Sequence, residues 1–374
     1  MALKINNKSI SSSAPDAGLF GLLIVVCFLA SAAAAAAAAQ GNDSDADPGM
    51  ARLFANDSLL LATIEAPLTT LMKERPNEEY LDGKFTFIED DGTERSLDLK
   101  IRTRGKFRRK EKHCNFAPIR LNFRKKQVVG TEFAGQDKLK LVTHCQSGKQ
   151  SYEQLVLREF LAYRFLNELT NNSFGVRLVQ INYVDTEGAN PMTKLGFVIE
   201  DVDDVAGRSA MRAIRTDNIS SNDLDRRQQN LINVFQYMIG NTEYSLTVSE
   251  PGEYCCHNTD LMSATEGPPY TPLAYDFDFS GLVNAPYAAP NPRYKIQDVR
   301  QRLYKGSCGN NDLLPETLQH FLDTKDAIYN AIDELELLSS MARRSVTQFV
   351  KAFYDRIAKP KTVNSRLIEK CYEP

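Results

Sequence analysis

Motifs of several common enzyme classes are missing from the sequence. It contains no G-x-S-x-G nucleophile elbow, no H-E-x-x-H zinc motif, no P-loop and no Rossmann glycine pattern. These absences argue against a serine hydrolase of that type, a zincin protease and the two most common nucleotide-binding motifs. A large excess of charge of one sign is also missing, because the formal net charge is -3 over 374 residues. The bulk composition therefore gives no indication of nucleic-acid binding.

The amino-terminal pattern is typical of an export signal. Lys4 and Lys8 precede an uncharged apolar run, residues 18–30, which an alanine tract extends to Ala39. This order predicts a signal peptide over residues 1–39. An uncleaved membrane anchor is the alternative, because the apolar run and the alanine tract, Gly18 to Ala39, together count twenty-two residues, and a spanning helix needs about twenty. Since no basic stop signal follows, we expect cleavage, no stable membrane span afterwards, and a secreted or periplasmic location.

Six cysteines lie outside the predicted signal peptide, and an even number in an exported protein favours disulfides. Their wide scatter lacks the paired spacing of a zinc site, apart from the cluster Cys255-Cys256-His257. We therefore expect structural bridges, with the connectivity left open, and consider a cysteine nucleophile beside His257 a weaker alternative. The six are Cys114, Cys145, Cys255, Cys256, Cys308 and Cys371.

Short alternating or β-rich runs separated by turn residues extend from Leu53 to about Val142. Such runs predict a mostly antiparallel β region. Apolar residues at helical spacing then predict a helix over residues 151–169, capped by Ser151. The predicted strands lie at 58–65, 84–89, 97–103, 117–123, 138–143, 176–185 and 194–201.

Helical patterns dominate beyond Asp204, beginning with a helix at about 222–239. A β-rich part, one crossing helix, a polar hinge and a helical part together predict a two-lobed α+β architecture. The expected division is a flexible polar leader over residues 40–52, a β-rich amino-terminal lobe over residues 53–204 and a helical carboxyl-terminal lobe over residues 205–374.

A pair of aspartates follows a brief apolar strand in the segment LAYDFDFSGL, residues 273–282. Alternation along a strand points Asp276 and Asp278 to the same side. Two converging carboxylates repel each other unless a cation lies between them, so a divalent metal is the natural partner. The alternative is a turn whose aspartates cap backbone amides.

A second constellation combines an acid with an asparagine. The segment IGNTEYS, residues 239–245, ends a predicted helix and carries Glu243, and Asn258 follows in the segment CCHN. An acid that can accept a hydroxyl proton, then an asparagine, then Asp-Phe-Asp is the order of kinase catalytic and metal-binding loops.

Residues 102–126 form a basic stretch with eleven lysines and arginines against one glutamate. A solvated β-hairpin face is the common interpretation, and a surface for phosphate or an acidic substrate is the sharper one. Lys138 and Lys140 alternate on a strand just before the helix that carries Glu153 and Glu159. A lysine–glutamate pair of this kind positions nucleotide phosphates in kinases, although a surface ion pair looks the same in sequence.

In this order, the segments resemble the CotH kinase-like family, atypical protein kinases first associated with spore coats, in a secreted bacterial variant. The similarity runs from about Leu53 to Cys308 and rests on RTRGKF, PIRLNF, KLKLVTHC, YEQLVLREFLAYR, GFVIEDVDD, FQYMIGNTEYS and YDFDFSGLVNAPYA. The resemblance implies a two-lobed protein-kinase-like fold that binds ATP with Mg or Mn in its cleft. It also implies transfer of the terminal phosphoryl group to a protein hydroxyl.

The resemblance further implies roles for the acidic residues and the asparagine. Asp276 and Asn258 would bind the metal, with Asp278 as a further ligand, and Glu243 lies where the family has its catalytic aspartate. Glu243 is one methylene longer than aspartate, and displacement of a base by about an ångström can cost about 100-fold in rate. The gap from Glu243 to Asn258 is also much longer than the compact kinase loop.

For the nucleotide, the resemblance implies Lys140 as the phosphate-binding lysine, with Lys138 as the alternative. Glu153 or Glu159 would be the partner of this lysine. A hinge beginning near Glu200 would contact the cofactor.

The expected function is an exported phosphotransferase that acts on a protein substrate or a cell-envelope partner. A non-catalytic, pseudokinase-like binding module of the envelope is the rival, and the glutamate at position 243 favours it. A carbohydrate- or phosphate-modifying enzyme on the same scaffold is a third possibility. We expect no nucleic-acid partner, because few aromatic residues interrupt the basic stretch.

Overall fold

Seven strands of the amino-terminal half close into a β-barrel. The computed structural model describes residues 49–373, so the predicted signal peptide over residues 1–39 lies outside the described residues. The barrel strands are β1 (Leu60–Ala66), β2 (Leu81–Ile88), β3 (Glu94–Thr103), β4 (Ile119–Phe123), β5 (Lys138–Val142), β6 (Val176–Asp185) and β7 (Met192–Ile199). They follow the order β1, β2, β3, β4, β5, β7, β6 around the barrel. All neighbours pair antiparallel except β6 and β1, which close the barrel in parallel.

Apolar side chains at alternate positions fill the inside of the barrel. In β4, Ile119, Leu121 and Phe123 are buried, while the residues between them are less so, which is the two-residue period of a strand. Phe133 packs against Phe85 and Phe123 with ring centroids 5.3 Å apart in each pair. Since side chains fill the interior of small barrels, this inside is a packed core, and functional residues have to be sought at its rim.

A long helix, α3 (Ser151–Leu169), packs on the outside of the barrel against β7 and β6. The predicted helix over residues 151–169 is thus confirmed, except that Ser151 is its first residue and Gln150 its N-cap. Apolar residues of α3 join those of the carboxyl-terminal helices in a second hydrophobic core. The other helices are α1 (Arg52–Ala55), α2 (Leu68–Glu74), α4 (Val202–Arg208), α5 (Arg226–Ile239), α6 (Leu314–Asp323), α7 (Lys325–Glu334), α8 (Ser340–Ile357) and α9 (Pro360–Arg366), with short 3-10 helices at Ser221–Asp223, Cys308–Asn310 and Ile368–Lys370.

A small second sheet lies among the helices of the carboxyl-terminal half. Its strands are β8 (Arg212–Ile214), β9 (Thr259–Ser263) and β10 (Thr271–Ala274), and β9 is the central one. Both of its neighbours pair with it antiparallel. None of the helices within residues 49–373 has the length and apolar character needed to cross a membrane.

The expected two-lobed protein-kinase-like fold is wrong. Its β-rich lobe would be an open sheet, whereas the strands here form a closed, mixed barrel followed by a helical part. The reason is the parallel pairing of β1 with β6, which runs in register from Leu60 opposite Val179 to Ala66 opposite Asp185. This pairing covers the edge that β1 would otherwise expose, and an unpaired edge is a liability for a sheet.

Three disulfides join the six cysteines of the described chain, which confirms the expectation of bridges. Cys114 pairs with Cys145 and so ties the β3–β4 loop to the residues that follow β5. The other pairs are Cys255 with Cys256 and Cys308 with Cys371. Bridges of this kind persist in oxidising compartments.

Candidate functional site

A cleft of about 670 Å³ opens where the β3–β4 loop meets the loop after α5 and the segment after β10. Five of the residues predicted to bind nucleotide or metal or to act as the base line it, namely Lys140, Glu243, Asn258, Asp276 and Asp278. The structure thus brings together side chains from four separate regions of the chain. All charged residues of the lining are Arg104, Lys106, Arg108, Lys140, Arg215, Glu243, Glu250, Glu253, Asp260, Asp276 and Asp278.

The two aspartates flank a buried aromatic residue. Phe277 is fully buried, and its ring lies 4.6 Å from that of Tyr163 and 5.4 Å from that of Phe235, measured between centroids. The backbone N–H of Asp276 donates a hydrogen bond of 2.9 Å to the Tyr163 hydroxyl. Because β10 has already ended, the anchored Phe277, rather than strand alternation, places Asp276 and Asp278 at the same cleft.

Arg108 connects two buried carboxylates at the base of the cleft. Its Nη1 lies 3.5 Å from Glu159 Oε2 and 3.8 Å from Asp278 Oδ2. Its Nη2 donates a hydrogen bond of 2.5 Å to the carbonyl of Thr143, and the Tyr287 hydroxyl donates one of 3.0 Å to Asp278. The side chains of Arg108, Glu159 and Asp278 are 10%, 4% and 6% exposed, so the arginine is the main compensation for two acids removed from water.

Burial raises the pKa of several carboxyl groups in and beside the cleft. Burial raises the pKa of Glu243 to about 8, and repulsion from Asp278 and Asp276 adds to the effect. Burial, followed by repulsion from Asp276, raises the pKa of Asp278 to about 7. Burial also holds the pKa of Glu159 well above its usual range. Acids this close to one another share protons unless a cation favours their ionised forms.

Lys140 enters the cleft from β5 and pairs with an aspartate that the sequence did not indicate. Its Nζ lies 4.0 Å from Asp260 Oδ2, and burial lowers the pKa of this lysine. The expected glutamate partners are engaged elsewhere, because Glu159 pairs with Arg108 and Glu153 lies 3.1 Å from the Nζ of Lys194. Asp260 therefore takes the place that the resemblance assigned to a glutamate of α3.

Two other predicted nucleotide residues lie outside the lining of the cleft. Lys138 is exposed at the start of β5. Glu200 is buried behind β7, where its carboxylate lies 3.1 Å from Nε of Arg208 and accepts a 2.8 Å hydrogen bond from the backbone N–H of Gly175. Glu200 thus anchors the chain between β7 and α4. Its side chain is not part of the described lining of the cleft, contrary to the predicted contact of the hinge with the cofactor.

The residues between Glu243 and Asn258 form a loop whose two ends are hydrogen-bonded to each other. Gly240, with a φ of 66°, ends α5 in the left-handed region that glycine adopts most readily. The Nδ2 of Asn258 donates a hydrogen bond of 2.7 Å to the backbone carbonyl of Glu243. The N–H of Ser245 likewise donates to the carbonyl of His257 at 2.9 Å. The residues in between therefore form an excursion that leaves Asn258 beside Glu243.

The basic stretch contributes cations to the cleft rather than only a solvated face. Arg104, Lys106 and Arg108 all line it, and the excess of basic residues over 102–126 is the sequence signal that indicated them. The Nε of Arg104 is buried and has no hydrogen-bond partner in the described part of the chain. Lys106 lies 2.5 Å from Glu250 and 2.6 Å from Glu253, which connects the β3–β4 loop to the loop after α5.

Three side chains in the cleft carry oxygen atoms of the type that Mg²⁺ prefers. Within the part of the chain that the structure describes, no group of three or more histidine, cysteine, aspartate or glutamate side chains could hold a metal ion by itself. Asp276 and Asp278 offer carboxylates, and Asn258 offers its amide oxygen, because its nitrogen is engaged by Glu243. Mg²⁺ is commonly bound through one or two carboxylates together with substrate phosphates and water, and these three side chains carry oxygen donors of that kind.

Comparison with protein-family models finds no match, and comparison with curated proteins finds none either. The resemblance to the CotH kinase-like family therefore stays a prediction.

Proposed function

We propose that the chain is an exported phosphotransferase that binds ATP with Mg²⁺ or Mn²⁺ in the cleft and phosphorylates a hydroxyl group of a protein substrate or cell-envelope partner. One observation carries the proposal: cations and oxygen ligands from four regions of the chain converge on a single cleft. Catalysis of phosphoryl transfer is mostly positioning and charge neutralisation, and it needs both kinds of group. The kinase-like fold gives no support, since the barrel replaces it.

The cationic side of the cleft suits the phosphates of a nucleotide. Lys140 and Arg104 both line it, and burial lowers the pKa of each. Burial of a cation is unfavourable, and a phosphate oxygen would relieve this cost, also for Lys140, whose Nζ lies 4.0 Å from Asp260. In the described residues, the Nε of Arg104 is buried without a hydrogen-bond partner, which makes this guanidinium the group we expect to gain most from a bound phosphate.

The acidic side of the cleft suits the metal and the acceptor. Asp276, Asp278 and Asn258 would hold a divalent cation, which supplies neutralisation of the phosphate charge when bound. Glu243 would accept the hydroxyl proton while the acceptor oxygen forms its bond to the terminal phosphorus and the bond to the ADP oxygen breaks. This role requires ionised Glu243, and a nearby divalent cation lowers the pKa of a carboxyl group.

Export is part of the same proposal. The three disulfides support it, because such bridges form and persist outside the reducing cytosol. The amino-terminal pattern supports it as well, although those residues lie outside the described chain. Action outside the cytoplasm would confine the acceptor to proteins and surfaces of the cell envelope or its surroundings.

The proposal is tested by incubating the purified protein with labelled ATP and Mg²⁺ or Mn²⁺ and measuring both nucleotide binding and transfer. Asp276→Asn removes a charge from the cleft, and we expect it to lower transfer at least about 100-fold, as the loss of a key electrostatic group commonly does. The matched control is Asp82→Asn, because Asp82 forms an exposed pair with Lys100 on the barrel surface. Absence of metal-dependent nucleotide binding by the unaltered protein would show that the proposal is wrong.

A non-catalytic binding module is the second candidate, and one observation favours it. Burial raises the pKa of Glu243 to about 8, which favours the protonated carboxyl group, and that form cannot accept a proton. If the unaltered protein and Glu243→Asp both bind ATP with metal but transfer nothing, the binding module is the better description. Transfer by Glu243→Asp alone would instead indicate an enzyme whose base has been displaced.

A further inference from the structure

A second pocket has a volume of about 440 Å³, and part of its lining directly follows residues of the cleft in the sequence. Glu243 lines the cleft, whereas the residues that follow it, from Tyr244 to Thr247, line the second pocket. Its volume is within the range of small-molecule sites in proteins. Neither the proposed reaction nor the sequence patterns make use of it.

Aromatic rings form much of the wall of this pocket. The lining includes four tyrosines, Tyr244, Tyr294, Tyr304 and Tyr372. The hydroxyl of Tyr244 donates a 2.8 Å hydrogen bond to an asparagine side chain, and the hydroxyl of Tyr304 donates one of 3.3 Å to another. Since these hydroxyls are already engaged, the two residues offer a ligand mainly their ring surfaces, and such surfaces favour stacked or edge-on aromatic partners.

A half-buried lysine, for which the described residues provide no carboxylate partner, lies in the same pocket. The Nζ of Lys305 donates hydrogen bonds to the backbone carbonyls of Thr242, at 3.2 Å, and Tyr244. It also lies 3.9 Å from the centroid of the Tyr244 ring. An ammonium group has three N–H donors, so one remains after the two carbonyls. The residues that line the pocket, all within the described range, include Arg293 as a second cation and no aspartate or glutamate.

The described lining of the pocket therefore carries cationic side chains and no acidic one, while much of its wall is apolar. Burial, with a smaller contribution from Arg293, lowers the pKa of Lys305 to about 7, which is the response of an ammonium group that lacks a counter-ion. A neutral ligand would leave Lys305 without a counter-ion. A small inorganic anion would pair with the lysine but would leave the aromatic surface unfilled.

We propose that this pocket binds a flat aromatic molecule with a single anionic group, the anion beside Lys305 and the ring against the tyrosines. The site is separate from the cleft and does not depend on the phosphotransferase proposal. Binding here contacts the segment that carries Glu243, because Lys305 holds the carbonyls on both sides of that residue.

The test compares two probes of the same shape, 2-naphthoate and its neutral analogue 2-naphthamide, by titration calorimetry on the full chain without nucleotide. We expect the anion to bind at least about tenfold more tightly than the amide, which is a difference of about 1.4 kcal/mol. In Lys305→Met this preference should disappear while the affinity for the amide is kept. Equal affinities in the unaltered protein, or an unchanged preference in Lys305→Met, would overturn the proposal.

Two further variants keep the test decisive if Lys305→Met does not fold. Tyr294→Ala removes one wall of the pocket without touching the carbonyl contacts of Lys305, and we expect it to weaken both probes at least about fivefold, as loss of an aromatic contact does. Unchanged binding of both probes would contradict the proposal. Asp276→Asn, in the cleft, should leave naphthoate affinity unchanged. A change of naphthoate affinity in that variant, above all a gain from the lost negative charge, would place the probe in the cleft and refute a separate site.

Discussion

Replacement of Arg108 by methionine tests the electrostatic account of the cleft most directly. The guanidinium lies 3.5 Å from the Glu159 carboxylate and 3.8 Å from that of Asp278, and all three side chains are at most 10% exposed. Methionine keeps most of the length of arginine but none of its charge, so two buried acids lose their shared counter-ion. Removing one partner from a buried ion pair costs about 3–5 kcal/mol. We expect Arg108→Met to lower the free energy of unfolding by about this amount at pH 8.

The cost should depend on pH with a definite sign. The folded-state pKa values of Glu159 and Asp278 are already raised, and loss of Arg108 raises them further. A carboxyl group whose pKa is higher in the folded state gains stability as the pH falls through that value. Arg108→Met should therefore be less destabilising at pH 5 than at pH 8, because the stranded acids are then protonated.

The assay is urea denaturation followed by circular dichroism at both pH values, with the disulfides intact. The matched control is Lys351→Met, which breaks an exposed pair with Asp355 and should leave the free energy of unfolding almost unchanged, since exposed ion pairs contribute little. Arg108→Met/Glu159→Gln should recover part of the loss, because one stranded charge is gone. If Arg108→Met is no more destabilising than Lys351→Met at pH 8, the account of a buried charge network is wrong.

Three other predictions follow from the same structure. Asp276→Asn should lower the pKa of Glu243 from about 8, because a like charge is removed. The measurement is a pH titration of the carboxyl ¹³C resonances, and an unchanged pKa of Glu243 would show that the two groups do not interact. The double variant Cys114→Ala/Cys145→Ala should lose about 4 kcal/mol in urea denaturation, the chain-entropy value for a loop of this length; a loss below about 1 kcal/mol contradicts it. Phe277→Ala should lose about 3–5 kcal/mol by the same measurement, as truncation of a fully buried aromatic residue does, and a variant as stable as the unaltered protein would show that this ring does not anchor the aspartates.

Local patterns in the sequence located most of the secondary structure, because helical and strand periods are properties of neighbouring residues. The helix over residues 151–169 and the strand over residues 176–185 have the predicted bounds. The predicted arrangement of these elements as a kinase-like fold was wrong, because closure of the barrel depends on the pairing of β1 with β6. Nothing in either segment alone specifies a partner so far along the chain.

The same contrast applies to the candidate site. The order of Glu243, Asn258 and the aspartate pair along the chain was sufficient to select residues that lie in one cleft. The partners of the cations were not predictable in this way. Glu159 faces Arg108 rather than Lys140 because the position of α3 on the barrel decides which charges meet, and that position follows from tertiary packing.

The parallel pairing of β1 with β6 also constrains the order in which the chain can fold. The residues that pair, such as Leu60 and Val179, are separated by more than a hundred residues, and contacts of such separation form slowly because a long loop has to close first. A chain that emerges from its amino terminus can form the β1–β2–β3 meander early, but the barrel stays open until β6 has appeared. During that interval one edge of β1 is unpaired, which is the state in which strands associate wrongly. For a protein exported unfolded, passage of at least the first 185 residues would have to precede closure.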